Sequence, residues 1–141
     1  MTISLRKART IIRKTLEKGR EMELKPLSVV VLDAGGHVIA FEREDKAAPG
    51  RFAVAHGKAY GCVMLGMAGS AQMQRAEDQA YFMNAINGLY GGQVVPVPGG
   101  ILVRDSKGRL LGAVGVKGDT SDNDAAAGAA GIEAAGLTPE I

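Results

Sequence analysis

Paired glycines among strand-forming residues constrain this chain more than any other feature. The second half reads Gly91-Gly92-Gln93-Val94-Val95-Pro96-Val97-Pro98-Gly99-Gly100-Ile101-Leu102-Val103, then Leu110-Leu111-Gly112-Ala113-Val114-Gly115-Val116-Lys117-Gly118-Asp119-Thr120. Glycine inside a strand costs stability, so several at strand edges point to a close approach of bare backbone, a bulge or a ligand. The stretch therefore belongs to a sheet pressed against something else.

The order of elements follows from the periodicities. From Ile3 to about Met22 the apolar positions Leu5, Ala8, Ile12 and Leu16 fall at helical spacing, with basic residues on the other face. That face reads as a solvated surface. Leu27–Leu32 is β-branched and apolar, Asp33-Ala34-Gly35-Gly36 is a turn, and His37–Glu42 resumes as a strand, which predicts a hairpin. Helices are expected over Arg51–Leu65 and Ala71–Asn87. Three strands follow at Gln93–Val97, Gly100–Arg104 and Arg109–Val116, the last two joined by Asp105-Ser106-Lys107-Gly108. The tail Ser121–Ala135 reads as a helix with Ser121 as N-cap and Asp124 completing a capping box. Its alanines and glycines predict very close packing, on the sheet or on another subunit. Tight turns between successive strands make the sheet antiparallel, so the expectation is a single α+β domain with helices packed on a five-stranded sheet.

Composition narrows the function. The 141 residues suit one domain, and 46% hydrophobic content suits a globular chain. A net charge of +2, without aromatic residues among the N-terminal arginines and lysines, argues against nucleic acid. No apolar run is long enough to span a bilayer and no signal-peptide core follows the start, so a cytoplasmic location is expected. The single cysteine, Cys62, fits a reducing compartment. There is no phosphate-binding loop, nucleophile elbow or dinucleotide fingerprint.

Four segments carry a resemblance over nearly the whole chain. They are Ser28-Val29-Val30-Val31-Leu32-Asp33-Ala34-Gly35-Gly36-His37-Val38, Ala55-His56-Gly57-Lys58-Ala59-Tyr60, Pro98-Gly99-Gly100, and Gly112-Ala113-Val114-Gly115-Val116 with its glycine-containing loop and Asp124. In this order they resemble the GlcG/HbpS family of haem-degrading domains, which includes the C-terminal domain of PduO-type proteins. The resemblance implies a profilin-like antiparallel α+β fold, assembly as a homo-oligomer, and haem as a cofactor. Where relatives read Gly-Val-Ser-Gly-Gly-Thr, this chain has Gly115-Val116-Lys117-Gly118-Asp119-Thr120, which changes the charge of the loop.

Candidate site residues follow. Lys58 lies mid-helix among apolar neighbours and must snorkel out or face a polar pocket. The resemblance implies that it faces the ligand near Gly99 and Gly100, where it would bind a carboxylate or act as an acid or base; the plainer reading is a surface lysine. His56, Tyr60 and Phe52 share one helix stripe. His56 is read as an axial haem ligand, a general base or a satisfied interface histidine, and Tyr60 and Tyr81 are alternative phenolate ligands. His37, after the turn, is expected to be exposed. Thr120 offers a hydroxyl to a ligand oxygen. Asp119, Asp122 and Asp124 lack the pattern of a calcium loop, have no histidine nearby, and suit helix capping; no metal site is expected. Three functions stand open: a haem- or tetrapyrrole-binding protein, with slow peroxide-dependent haem breakdown; an enzyme for a small carboxylated metabolite, with Lys58 orienting the acid, loop amides stabilising charge and His56 or Asp119 moving a proton; and a non-catalytic assembly subunit.

Overall fold

The computed structural model describes residues 2–141. Helix α1 (Leu5–Glu21) precedes the hairpin β1 (Ser28–Asp33) and β2 (Val38–Arg43); α2 (Arg51–Leu65), α3 (Gly69–Asp78) and α4 (Ala80–Leu89) follow. The chain then returns to the sheet as β3 (Gly100–Arg104) and β4 (Leu110–Lys117), and closes with α5 (Ser121–Ala134) and β5 (Thr138–Glu140). The sheet order is β2-β1-β4-β3-β5, antiparallel throughout. The α+β expectation and the count of five strands both hold.

The membership of the sheet differs from expectation at one strand. Gln93–Val97 lies outside the sheet: Val95 N–H donates to the Gly57 carbonyl of α2 at 3.2 Å, and Val94 N–H to Asn87 Oδ1 at 2.9 Å. Pro96 and Pro98 remove two donors that a ladder would need. The fifth strand is instead β5, where Pro139 opposite Val103 is tolerated because β5 is an edge. The expected helix Ala71–Asn87 is two helices, broken at Gln79 (φ −141°, ψ 65°). Arg75 stacks over the Phe82 ring at 4.1 Å across that break.

Two cores flank the sheet. On one face α1 and α5 cover Val29, Val31, Ile101, Val103, Val114 and Val116. The small side chains of α5 let it lie close to α1: a Cβ at Gly131 would run into Thr15 and the Ile11 carbonyl. On the other face α2 packs on Val30, Leu32, Leu102 and Ala113 through Ala55, Ala59 and Cys62. Here the strand glycines have their use. A Cβ on Gly115 would collide with the Ala55 carbonyl of α2. Glycine brings the helix backbone against the sheet, and this contact sets where every side chain of α2 points.

Candidate functional site

Helix α2 sorts the candidate residues onto opposite sides. Residues two apart on an α-helix point in nearly opposite directions, so Lys58 and His56 do not share a pocket.

Lys58 turns inward. It is 1% exposed, and its Nζ donates to the Val116 carbonyl at 3.0 Å and to Asp124 Oδ2 at 3.2 Å. Asp124 is fully buried, and its other oxygen accepts from Asp119 N–H at 2.9 Å. Lys117 Nζ stands 3.7 Å from Asp124 Oδ2 and donates to the Asp119 carbonyl at 2.8 Å. Burial lowers the pKa of Lys58, while the Asp124 carboxylate pulls it back up. Gly99 closes the roof at φ +103°, and a Cβ there would sit 2.7 Å from Lys58 Nζ. The loop glycines are therefore shaped around a lysine–aspartate pair.

The start of α5 departs from expectation. Its N-cap is Thr120, whose Oγ1 accepts from Asn123 N–H at 3.2 Å; Ser121 is already in the helix, and Asp124 forms no capping box because its carboxylate is committed to Lys58 and Asp119. Thr120 itself is exposed. The Asp119 carboxylate accepts from Asn123 Nδ2 at 2.8 Å and from the backbone N–H groups of Lys25 and Thr120, each at 3.0 Å or less, which holds its pKa down to about 2. A carboxyl so held is a poor proton carrier near neutrality.

The other side of α2 is aromatic. Phe41 of β2 meets Phe52 edge to face at 4.6 Å, Phe52 lies 5.8 Å from the His56 ring, and His56 stacks on Tyr60 at 5.6 Å. Tyr90 meets Tyr60 edge-on at 6.3 Å. Beside this stripe opens a cleft of about 480 Å³, lined by Val38, Phe52, Ala53, Val54, His56, Gly92, Gln93 and Val95. Its walls are mostly apolar and none of these residues is charged. Burial alone pushes the His56 imidazole below its usual pKa, so it is neutral at pH 7 with a lone pair to offer.

A bulge between Val31 and Leu32 shapes the third wall. Phe41 pairs with Val30 and Val38 with Leu32, so Val38 and Phe41 both face α2 despite being three residues apart. Sequence reading found Phe52, His56 and Tyr60 by helical spacing. It missed Val38, Gln93 and Val95, because the bulge breaks strand alternation and the 93–97 segment looks like a strand. Tyr81 is exposed on α4 and does not line the cleft, and His37 is exposed at the hairpin turn, 3.2 Å from Asp33 Oδ1.

A family model described as haem degrading protein, HbpS-like, matches residues 3–133. The chain belongs to this family. Solved structures share its fold. A haem complex of PduOC has a TM-score of 0.84 at 21% identity, covering 95% of each chain. ORFY from Klebsiella pneumoniae has a TM-score of 0.83 at 21% identity, over 96% of this chain and 92% of that one. A double mutant of HbpS from Streptomyces reticuli has a TM-score of 0.79 at 23% identity, over 94% and 86%. At these identities the likeness carries the fold and not the ligand. No curated protein matches the sequence.

The side chains present suit a tetrapyrrole. A flat apolar ring needs apolar and aromatic walls, and a neutral imidazole is one side chain that can ligate a ferric centre; Phe52, Val38, Val54 and Val95 offer the first and His56 the second. Acid groups of such a ligand would lie at the rim in water, since the lining holds no cation.

Proposed function

We propose that this protein binds haem or a related tetrapyrrole in the cleft beside α2, with His56 as the iron ligand. The observation that carries this reading is a half-buried, neutral imidazole set in an aromatic stripe along a mostly apolar, uncharged cleft. Family membership and a haem complex among the structural relatives support it. Phe52 would stack on the macrocycle, Tyr60 would hold the imidazole plane by stacking at 5.6 Å, and Val38, Val54 and Val95 would exclude water.

Bound haem would supply redox chemistry at its iron. The finer reading is slow breakdown of the bound group when peroxide is added, with the cleft residues holding the ring in place. The alternative of a small-carboxylate enzyme finds less support, because the Lys58 ammonium is already paired with Asp124 and stands on the other side of α2 from His56. A homo-oligomer fits α4, which bears no charged residue and leaves Tyr81 and Leu89 more than 70% exposed. No helix among the described residues is long and apolar enough to cross a membrane. A cytoplasmic location fits the lone Cys62 thiol, buried and with its pKa pushed up to about 12.

The test is a hemin titration with albumin as competitor, on the wild type and on His56→Ala. A saturable Soret band that survives albumin and shifts or weakens in His56→Ala is expected. Absence of a specific band, or an identical band in the variant, would overturn the assignment. Peroxide added to the loaded protein then tests breakdown: decay of the band faster than for free hemin supports it, and protection of the band argues for storage or transport.

A further inference from the structure

A second concavity, larger than the α2 cleft, lies on the other side of the sheet. It is a groove of about 740 Å³ between α1 and β2, lined by Leu5, Arg6, Arg9, Thr10, Arg13, Leu16, Arg20 and Glu42. The four arginines recur at spacings of three, four and seven, so their side chains form one stripe along α1. From Arg6 to Arg20 the helix rises about 21 Å. Against them the groove has a single carboxylate, Glu42.

This charge is only partly compensated. Arg13 meets Glu17 at 3.4 Å and Arg20 meets Glu44 at 3.1 Å, both through well-exposed guanidinium groups. Such surface pairs are weak and exchange readily. Arg6 and Arg9 have no ion pair or side-chain hydrogen bond among the described residues. Leu5, 48% exposed, and Leu16 add apolar contacts between the charges. Beside the groove runs the outer edge of β2, which pairs only with β1 and so presents free backbone N–H and C=O groups.

We propose that this groove docks an acidic, extended peptide segment of a partner protein. Arginine forks take carboxylates bidentately, and an extended strand can add to an open sheet edge while its alternate side chains reach the arginines. A segment of about six residues spans the stripe at ~3.4 Å per residue. A second copy of this chain is a poor occupant. Continuing the sheet across a two-fold axis at β2 would set two α1 helices on the same face, arginine stripe against arginine stripe. The stripe thus blocks self-pairing at the edge and selects a partner of opposite charge.

The experiment is fluorescence anisotropy with a labelled ten-residue peptide alternating glutamate and valine, at low and at high salt. Saturable binding that weakens with salt is expected, with at least a tenfold loss in the double variant Arg6→Glu/Arg9→Glu. The conservative Arg6→Lys/Arg9→Lys pair should weaken binding by less, since it keeps the charge and loses only the fork. Both variants alter exposed side chains, and unchanged melting temperatures confirm that they fold. A peptide of equal charge with N-methylated valines should bind several-fold more weakly. Equal affinity for the charge-reversed protein, equal affinity for the N-methylated peptide, or tighter binding of a single-stranded oligonucleotide of equal charge would each overturn the proposal.

Discussion

Two sides of one helix, α2, hold the polar chemistry of this domain in opposite states. Inward, Lys58 and Asp124 are a closed pair, with oxygen and nitrogen partners supplied by Val116, Asp119 and the start of α5. Outward, His56 has aromatic neighbours and an open cleft, and its ring nitrogens make no hydrogen bond among the described residues. A satisfied charge inside a fold holds elements together; an unsatisfied lone pair beside a cleft is free to bind. The difference teaches that the buried ion pair gives Lys58 a structural account, while His56, two residues away on the opposite side of the helix, keeps an open cleft beside it.

The comparison breaks most visibly if Lys58 is removed. Lys58→Met leaves the Asp124 carboxylate buried with the Asp119 N–H and, as its cation, Lys117 at 3.7 Å, and should cost about 3–5 kcal/mol in urea unfolding. Adding Asp124→Leu should recover a large part of that loss, because a buried pair replaced by apolar groups is often nearly neutral. If Lys58→Met instead spares stability and abolishes hemin binding, the division of α2 into two roles is wrong.

Gly99→Ala probes the roof of the same pair with a smaller change. It demands φ +103° of a residue with a Cβ, and places that atom against Lys58 Nζ. A loss of about 1–3 kcal/mol is expected, again with little change in the Soret band per folded molecule. Thermal melts and hemin titrations on the same preparation check both halves.

The smallest effect sharpens the other side. Burial holds the folded His56 pKa below its unfolded value near 6.5. Above that pH the imidazole is neutral folded or unfolded and contributes no pH dependence. As the pH falls below about 6.5 the unfolded chain takes up the proton first, so stability declines until the folded imidazole also protonates. His56→Gln should remove this slope, measured as the difference in urea midpoint between pH 7.5 and pH 5. An unchanged slope would mean that the ring is not desolvated.

Much of the frame was legible in the sequence, for physical reasons that can be named. Helices α1 and α2 and the hairpin show clean periodicities, and the glycines announce close backbone approach. Two things were hidden. The 93–97 segment has strand-forming valines, and its prolines decide against the ladder; β5 is three residues long and shows itself only by pairing with β3. At the site, helical spacing brought out Phe52, His56 and Tyr60, which depends on local geometry alone. The Lys58–Asp124 pair spans 66 residues of sequence, and capping was a sufficient local account of Asp124. A lysine amid apolar neighbours signalled either a snorkelling side chain or a polar pocket, and nothing local named Asp124 as the partner.

The bulge in the hairpin has a bearing on how such a cleft can diversify. Because it occurs on the terminal strand, gaining or losing one residue there swaps which side chain walls the cleft, while β1, β4 and β3 keep their register. The rim of the cleft can thereby be re-lined without moving the three inner strands.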